Sequence, residues 1–316
     1  MERAIHLQKK SSVRKKHKIW DRVKQNADMY LLLLPGLALL LLFKYVPMYG
    51  IMIAFQDYNI FEGIGGSDWV GFANFVKMFH SAEFYQVLWN TLALNIYKII
   101  FMFPVPIILA LLLNEMRCEI YKKSVQTIIY IPHFLSWVVV GGLFVTILST
   151  SSGIVNSMIK LFGGDAIPFM TSNRWFRSVL VASATWKEAG YNAVIYIAAI
   201  SGISQEIYEA AKMDGAGRWK QMLHITLPEL SSTIILMLIL RLGEILISGT
   251  EQVLMMYNPV VYETGDIIGS YVYRMGIGKM EYSFTTAVGL FESLVGFVLV
   301  LGGNALSRKM LGKSIW

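Results

Sequence analysis

The chain is poor in charge and nearly devoid of cysteine. Only 16% of its 316 residues are Asp, Glu, Lys or Arg, against about a quarter in ordinary soluble domains, so it lacks the polar surface of a water-soluble globule. Cys118 is the single cysteine, which excludes an intrachain disulfide and a cysteine metal cluster. The histidines, His6, His17, His80, His133 and His224, are scattered without the paired spacing of a helical zinc site. A phosphate-binding loop is missing as well. Gly312-Lys313-Ser314 comes nearest, but the glycine required five residues earlier is Ser307, in a C-terminal tail rather than a strand-to-helix turn. This chain is therefore not expected to hydrolyse ATP or to bind a cofactor or metal. No long linker, low-complexity tract or internal repeat is visible, nor any convincing nucleophile–base pair.

What the chain has is apolar length. Hydrophobic residues make up 55% of it, the mean hydropathy is +0.52, and the apolar blocks are long enough to cross a bilayer, which takes about 20 residues each. The pattern predicts an all-α polytopic membrane protein with six spans, near 29–55, 89–113, 124–148, 177–201, 229–249 and 284–306. The first block is too long for a secretory leader and no small-residue cleavage site follows it, so it is read as a retained span. Prolines 35, 47, 104, 106 and 132 lie in or beside spans, where neighbouring helices can satisfy the freed carbonyls.

Basic residues orient the spans. With the N-terminus inside, the inner segments 1–28, 114–123, 202–228 and 307–316 carry nine, three, three and three Lys or Arg. The outer segments 56–88, 149–176 and 250–283 carry one, two and two. Positive charge concentrates on the cytoplasmic side, so both termini and the segment 202–228 are placed in the cytoplasm. The division is then a basic N-terminal tail, 1–28, a transmembrane domain, 29–306, and a C-terminal tail, 307–316. The N-terminal tail fits a cytoplasmic anchor against anionic lipid better than a nucleic-acid-binding arm, and no nucleic acid is expected as a partner.

The inner segment 202–228 is more structured than a connector requires, since helix–helix links commonly need only about two to eight residues. Ser204 can cap a short helix with Glu206 and Glu209 toward its positive end. Gly215 can supply a left-handed stop, a second helical piece runs from about Arg218 to Thr226, and Pro228 suits the first turn of the next span. Ile207, Ala210, Ala211 and Trp219 could form one apolar surface. The shape is that of a helix made to sit in a partner's groove.

In these residues the chain resembles the permeases of ATP-driven (ABC) importers. Glu209-Ala210-Ala211 opens the resemblance, Asp214-Gly215-Ala216 forms its turn, and Ile225, Leu227 and Pro228 close it. Met222 stands where the family often has phenylalanine, keeping an apolar knob. The turn, the stretch "NPVVYETGDIIGSYVYRMGI" and the tail "NALSRKMLGKSIW" resemble permeases of the carbohydrate-uptake, lipoprotein-B-like type. The resemblance implies a type I importer permease fold in the bacterial cytoplasmic membrane. It implies a second, non-identical permease chain, two separate ATPase subunits that hold ATP and Mg, and an external solute-binding protein. It also implies that the loop is a coupling helix, with Glu209 meeting a basic group of the ATPase and Gly215 permitting the bend. An importer for a non-sugar solute and an ion-coupled transporter remain the alternatives, although the latter leaves the loop without a purpose.

Six charges fall deep within the spans, away from their ends: Lys98, Lys187, Glu188, Arg241, Glu244 and Glu292. Each costs about 2.5–3.5 kcal/mol at the bilayer centre on insertion scales, so each needs a reason. Two readings stand, a polar translocation path or structural ion pairs; Arg241 and Glu244, three apart, could pair on one helix face. Sugar binding favours aromatic platforms beside polar partners, which nominates Trp186, Tyr191, Asn192 and Tyr196, with Ser248, Glu251 and Gln252 beyond the fifth span.

Overall fold

The computed structural model describes residues 24–311; most of the basic N-terminal tail and residues 312–316 lie outside the described residues. The first apolar block forms one continuous helical segment, Ala27–Phe55. It is α1 (Ala27–Leu40) followed by a wide turn, Leu41–Tyr45, and a tighter one, Val46–Phe55. No residue of α1 is buried against the rest of the chain, as suits a face made for lipid or another subunit.

Outside the first span, Gln56–Asp57 (β1) pairs antiparallel with Asp68–Trp69 (β2), with Gln56 opposite Trp69. The all-helical expectation misses this ribbon. It is held by the Gln56 side chain donating to the Ile64 carbonyl at 2.8 Å and by Asn74 donating to Ala54 and Gln56. An amphipathic helix, α2 (Ala73–His80), follows.

The second span is longer than its hydropathy suggested. It starts at Ala82, where Ser81 accepts from the Phe84 amide, and runs through α3 (Ala82–Tyr97), a wide turn and α4 (Pro104–Glu115). Pro104 follows the wide turn Lys98–Met102 inside this continuous helix, where its missing amide hydrogen interrupts the regular ladder.

The third apolar block is not one straight helix. α5 (Glu119–Tyr130) and the turn Ile131–Phe134 end at Leu135 and Ser136, both extended, and α6 (Trp137–Ile147) leaves at 101°. Pro132 removes a donor from the turn, and Ser136 caps α6 by accepting from the Val139 amide. An uninterrupted apolar run conceals such a break, because hydropathy does not report backbone direction.

After a short helix, α7 (Ile154–Leu161), α8 (Phe176–Ser201) is a single helix of 26 residues, about 39 Å long. Gly190 lets α5 press against it, since a β-carbon there would collide with the Ile129 carbonyl. The segment 202–228 contains α9 (Gln205–Met213) and α10 (Arg218–Gln221). The helical run Arg218–Glu229 then bends by 53° into α11 (Ser231–Gly243). The expected span to residue 249 stops short: turns replace helix after Gly243, Gly249 is left-handed at φ 95°, and α12 (Thr250–Met256) starts in a new direction. α13 (Ile268–Tyr273) and the last helix, α14 (Tyr282–Leu311), complete the chain. Among the described residues three helices are long and apolar enough to cross a membrane, or five if each bent pair counts as one span.

Packing is layered along the long axis. Met78, Phe84, Val87, Ile268, Tyr271, Phe284 and Val288 form one apolar cluster, and Leu94, Phe176, Leu180, Val253 and Ile267 a second. Ala110, Ala193, Tyr196, Ile200, Met222 and Leu230 form a third, which takes Met222 from the segment 202–228. Along α8 the second cluster ends near Val181 and the third starts at Ala193, with Lys187, Glu188 and Asn192 between them.

Candidate functional site: a polar cavity and the loop 202–228

The loop is ordered by its own sequence. Ser204 accepts from the Glu206 amide at the start of α9. At the other end the Ala216 amide reaches the Ala211 carbonyl at 2.8 Å and the Gly215 amide the Lys212 carbonyl at 3.0 Å, a paired closure that needs a left-handed residue. Gly215 supplies it at φ 78°. Gln221 folds back onto the Ala216 carbonyl at 2.7 Å, and the Tyr208 hydroxyl meets that of Thr226 at 2.9 Å, tying α9 to the entry of the fifth span. Glu209, Ala210, Asp214 and Pro228 are exposed, and Ala211, Ala216 and Leu227 are half-buried. The apolar Met222 is buried in the third cluster. The exposed large apolar side chains are Met213, Trp219, Leu223 and Ile207, at 89, 71, 50 and 42%.

Within the spans, a cavity of about 320 Å³ is lined by Lys98, Glu188, Asn192, Tyr196, Arg241 and Glu244, with Met102, Phe103, Pro106, Met237 and Leu240 as its apolar wall. A second, of about 280 Å³, is lined by Trp137, Ser248, Thr250, Glu251 and Gln252. Lys98, Glu188 and Arg241 border both. The three charges therefore stand where the two chambers meet.

Lys98 is fixed there. Its Nζ donates to Gln252 Oε1 at 2.8 Å, and the Gln252 amide donates to Ser183 Oγ at 2.8 Å and to the Leu180 carbonyl. Ser248 donates to Asn95 Oδ1 at 2.8 Å. By contrast Arg241, Glu188 and Glu251 form no side-chain hydrogen bond or ion pair among the described residues. The expected Arg241–Glu244 pair is not made. The helix ends between them, leaving a bond from the Glu244 amide to the Arg241 carbonyl.

Other nominated residues go elsewhere. Lys187 lines neither chamber; it donates to the His133 carbonyl at 2.6 Å and lies 5.5 Å from the Trp137 ring centre. Tyr191 stacks on His133 at 3.8 Å. Trp186 borders a separate, largely apolar groove with Tyr97 and Phe101. Glu292 is buried, with its Oε1 unbonded among the described residues. The sequence reading passed over Trp137, the one aromatic side chain of the 280 Å³ chamber.

The segment 258–278 is held by a second polar network. Arg274 bonds the carboxylates of Asp266 and Glu83. Asn90 donates to the Glu263 and Asp266 carbonyls at 3.0 Å and accepts from Arg177 at 2.7 Å. Burial raises the Asp266 carboxyl above its ordinary range, against the opposing pull of Ser270 and Arg274.

Residues 81–312 match the binding-protein-dependent transport system inner membrane components, and the chain belongs to that family. It is a membrane permease component, as the resemblance in the loop implied. It is similar to the polygalacturonan/rhamnogalacturonan transport system permease protein YteP of Bacillus subtilis, 46% identical over 96% of this chain and 94% of the relative. It is equally similar to protein LplB of the same organism, 46% identical over 91% and 90%, in keeping with the lipoprotein-B-like resemblance. Among solved structures, a chain of a bacterial ABC transporter involved in import of the acidic polysaccharide alginate superposes with a TM-score of 0.85. It is 42% identical over 93% of this chain and 99% of that one. The same transporter type has been solved in complex with an alginate pentasaccharide-bound periplasmic protein, also at a TM-score of 0.85.

Proposed function

We propose that this chain is one of two permease subunits of an importer that carries an oligosaccharide across the cytoplasmic membrane, delivered by an external binding protein and driven by two separate ATPase subunits, which hold ATP and Mg. The observation that carries the reading is the junction at Lys98, Glu188 and Arg241, where two chambers meet between apolar layers. Unpaired charges inside a membrane segment are costly, and a polar cargo passing between them gives them a purpose. The cargo class is supported by the transport names of the relatives.

The chain then has six spans: the three long helices, the two bent pairs and α8. The tails 1–28 and 307–316 are cytoplasmic, and 29–306 is the transmembrane domain. Segment 202–228 is the coupling loop, offering Glu209, Ala210, Ala211, Asp214, Gly215, Ala216, Leu227 and Pro228 to the ATPase. The substrate path comprises Lys98, Glu188, Asn192, Arg241 and Glu244, while Trp186, Lys187, Tyr191 and Glu292 act from outside the two chambers. In vesicles holding the full complex, sugar uptake should require both the loaded binding protein and ATP hydrolysis. Uptake that persists without ATP, driven by an ion gradient, overturns the reading.

A further inference from the structure

We infer that Trp137 is the aromatic platform on which a pyranose ring of the cargo rests as it passes the charged junction. This deepens the path reading and rests on it. The 280 Å³ chamber lies near the small end of ligand cavities, which run from about 300 Å³ upward. Its wall holds one aromatic ring, Trp137, among polar groups of several kinds. A pyranose has the complementary surface: C–H bonds on one face, hydroxyls around the edge. An indole offers the first a broad apolar face, and the polar groups serve the second.

Those polar groups divide into occupied and free. Gln252 is committed to Lys98, Ser183 and Leu180, and Ser248 to Asn95. Glu188, Glu251 and Arg241 make no side-chain bond among the described residues, so two carboxylates and one guanidinium surround the ring with their capacity unused. Carboxylates accept from sugar hydroxyls, and a guanidinium donates to hydroxyl or carboxylate oxygens.

The ring is also held in place. The 101° bend after Phe134 brings Trp137 to the first position of α6, behind the Ser136 cap. Lys187 grips the bend through the His133 carbonyl and lies 5.5 Å from the ring centre, Tyr191 stacks on His133, and Gly190 admits the Ile129 backbone. A platform fixed before cargo arrives loses little rotamer freedom on contact. Lys187 and Tyr191 are thus positioning residues for the site rather than its walls.

The test uses the whole reconstituted complex, with radiolabelled galacturonan, rhamnogalacturonan and alginate oligosaccharides as probes. Trp137→Leu should lower uptake of the transported probe by about tenfold, equivalent to about 1.4 kcal/mol of lost interaction, while Trp137→Phe keeps most of it. If Trp137→Leu fails to assemble, Trp137→Phe is compared with Trp137→Met, which is flexible and apolar but has no ring. Retention by phenylalanine and loss by methionine supports the platform; equal uptake by the two variants overturns it. Arg241→Met and Glu188→Gln separate the two readings. If they lose uptake while Trp137→Leu does not, the path stands and the platform falls. If all keep wild-type uptake, the path falls as well. Uptake of none of the probes by the wild type overturns the carbohydrate reading and the platform with it.

Discussion

The ammonium of Lys187 donates to the backbone carbonyl of His133 at 2.6 Å, bridging α8 to the bend between α5 and α6. A peptide carbonyl freed by a helix break in a membrane needs a donor, and Lys187 is that donor. Lys187→Met should therefore lower the thermal midpoint of the purified complex, through loss of a charged hydrogen bond usually worth about 1.5–3 kcal/mol. Lys187→Arg, which keeps cation and donor, should recover most of it. An unchanged midpoint for the methionine variant would deny Lys187 this role.

Arg241 gives the opposite expectation. It has no ion-pair partner among the described residues, so its removal strands no opposite charge, and an apolar side chain is cheaper at that depth. Arg241→Met should leave assembly and thermal stability at or above wild type while uptake falls. Lys98→Met should lose both, because it also strips Gln252 of its partner. Parallel measurements of thermal midpoint and uptake distinguish a path residue from a structural one; a large stability loss in Arg241→Met would assign it to structure.

The Asp266–Arg274 pair predicts a pH signature. Asp266 is 2% exposed, and removing one partner of a buried pair commonly costs about 3–5 kcal/mol. Burial holds the Asp266 carboxyl above its unfolded value, so its contribution is most favourable below that unfolded value and is lost as pH rises through the folded one. Arg274→Met should thus be markedly destabilised at neutral pH, with a deficit that shrinks as pH falls toward the carboxylate range. Thermal melts across pH check this, and a deficit that grows on acidification contradicts it.

Orientation can be tested with single cysteines in a chain whose exposed Cys118 is replaced. Phe61, 95% exposed beyond the first span, and Met213, 89% exposed on the loop, are the sites to use. An impermeant thiol reagent added outside intact cells should label Phe61→Cys, and label Met213→Cys only after permeabilisation. Reversed labelling would invert the topology.

Much of this was legible because it is local. Ser204 and Gly215 announce a cap and a turn within a few residues of their partners, and the loop folds as they dictate. Pro228, expected in the first turn of the next span, lies instead near the end of the helical run Arg218–Glu229, before the 53° bend into α11. The long apolar blocks declare membrane helices by length alone. The meeting of Lys98, Glu188 and Arg241 was not legible, since it depends on how three helices face each other. It also depends on α11 ending at Gly243 and Gly249 turning α12 so that Gln252 reaches Lys98. Trp137 was hidden in an apolar run, and only the bend after Phe134 brings it to the chamber.

The claim on which the rest depends is that the segment around Gly215 transmits ATP hydrolysis to the spans. At φ 78° a β-branched residue meets a left-handed penalty of about 1–2 kcal/mol, small against the whole fold but felt by a docking helix. Gly215 has open space around it, so Gly215→Val acts through backbone conformation and not through a clash. The measurement is ATPase co-purification together with cargo-stimulated ATP hydrolysis and uptake in reconstituted vesicles. Gly215→Val, and Glu209→Lys by charge reversal on the exposed face, should insert normally yet lose ATPase association or uncouple hydrolysis from uptake. If both variants co-purify with the ATPase and keep wild-type stimulated hydrolysis and uptake, the loop does not couple the two.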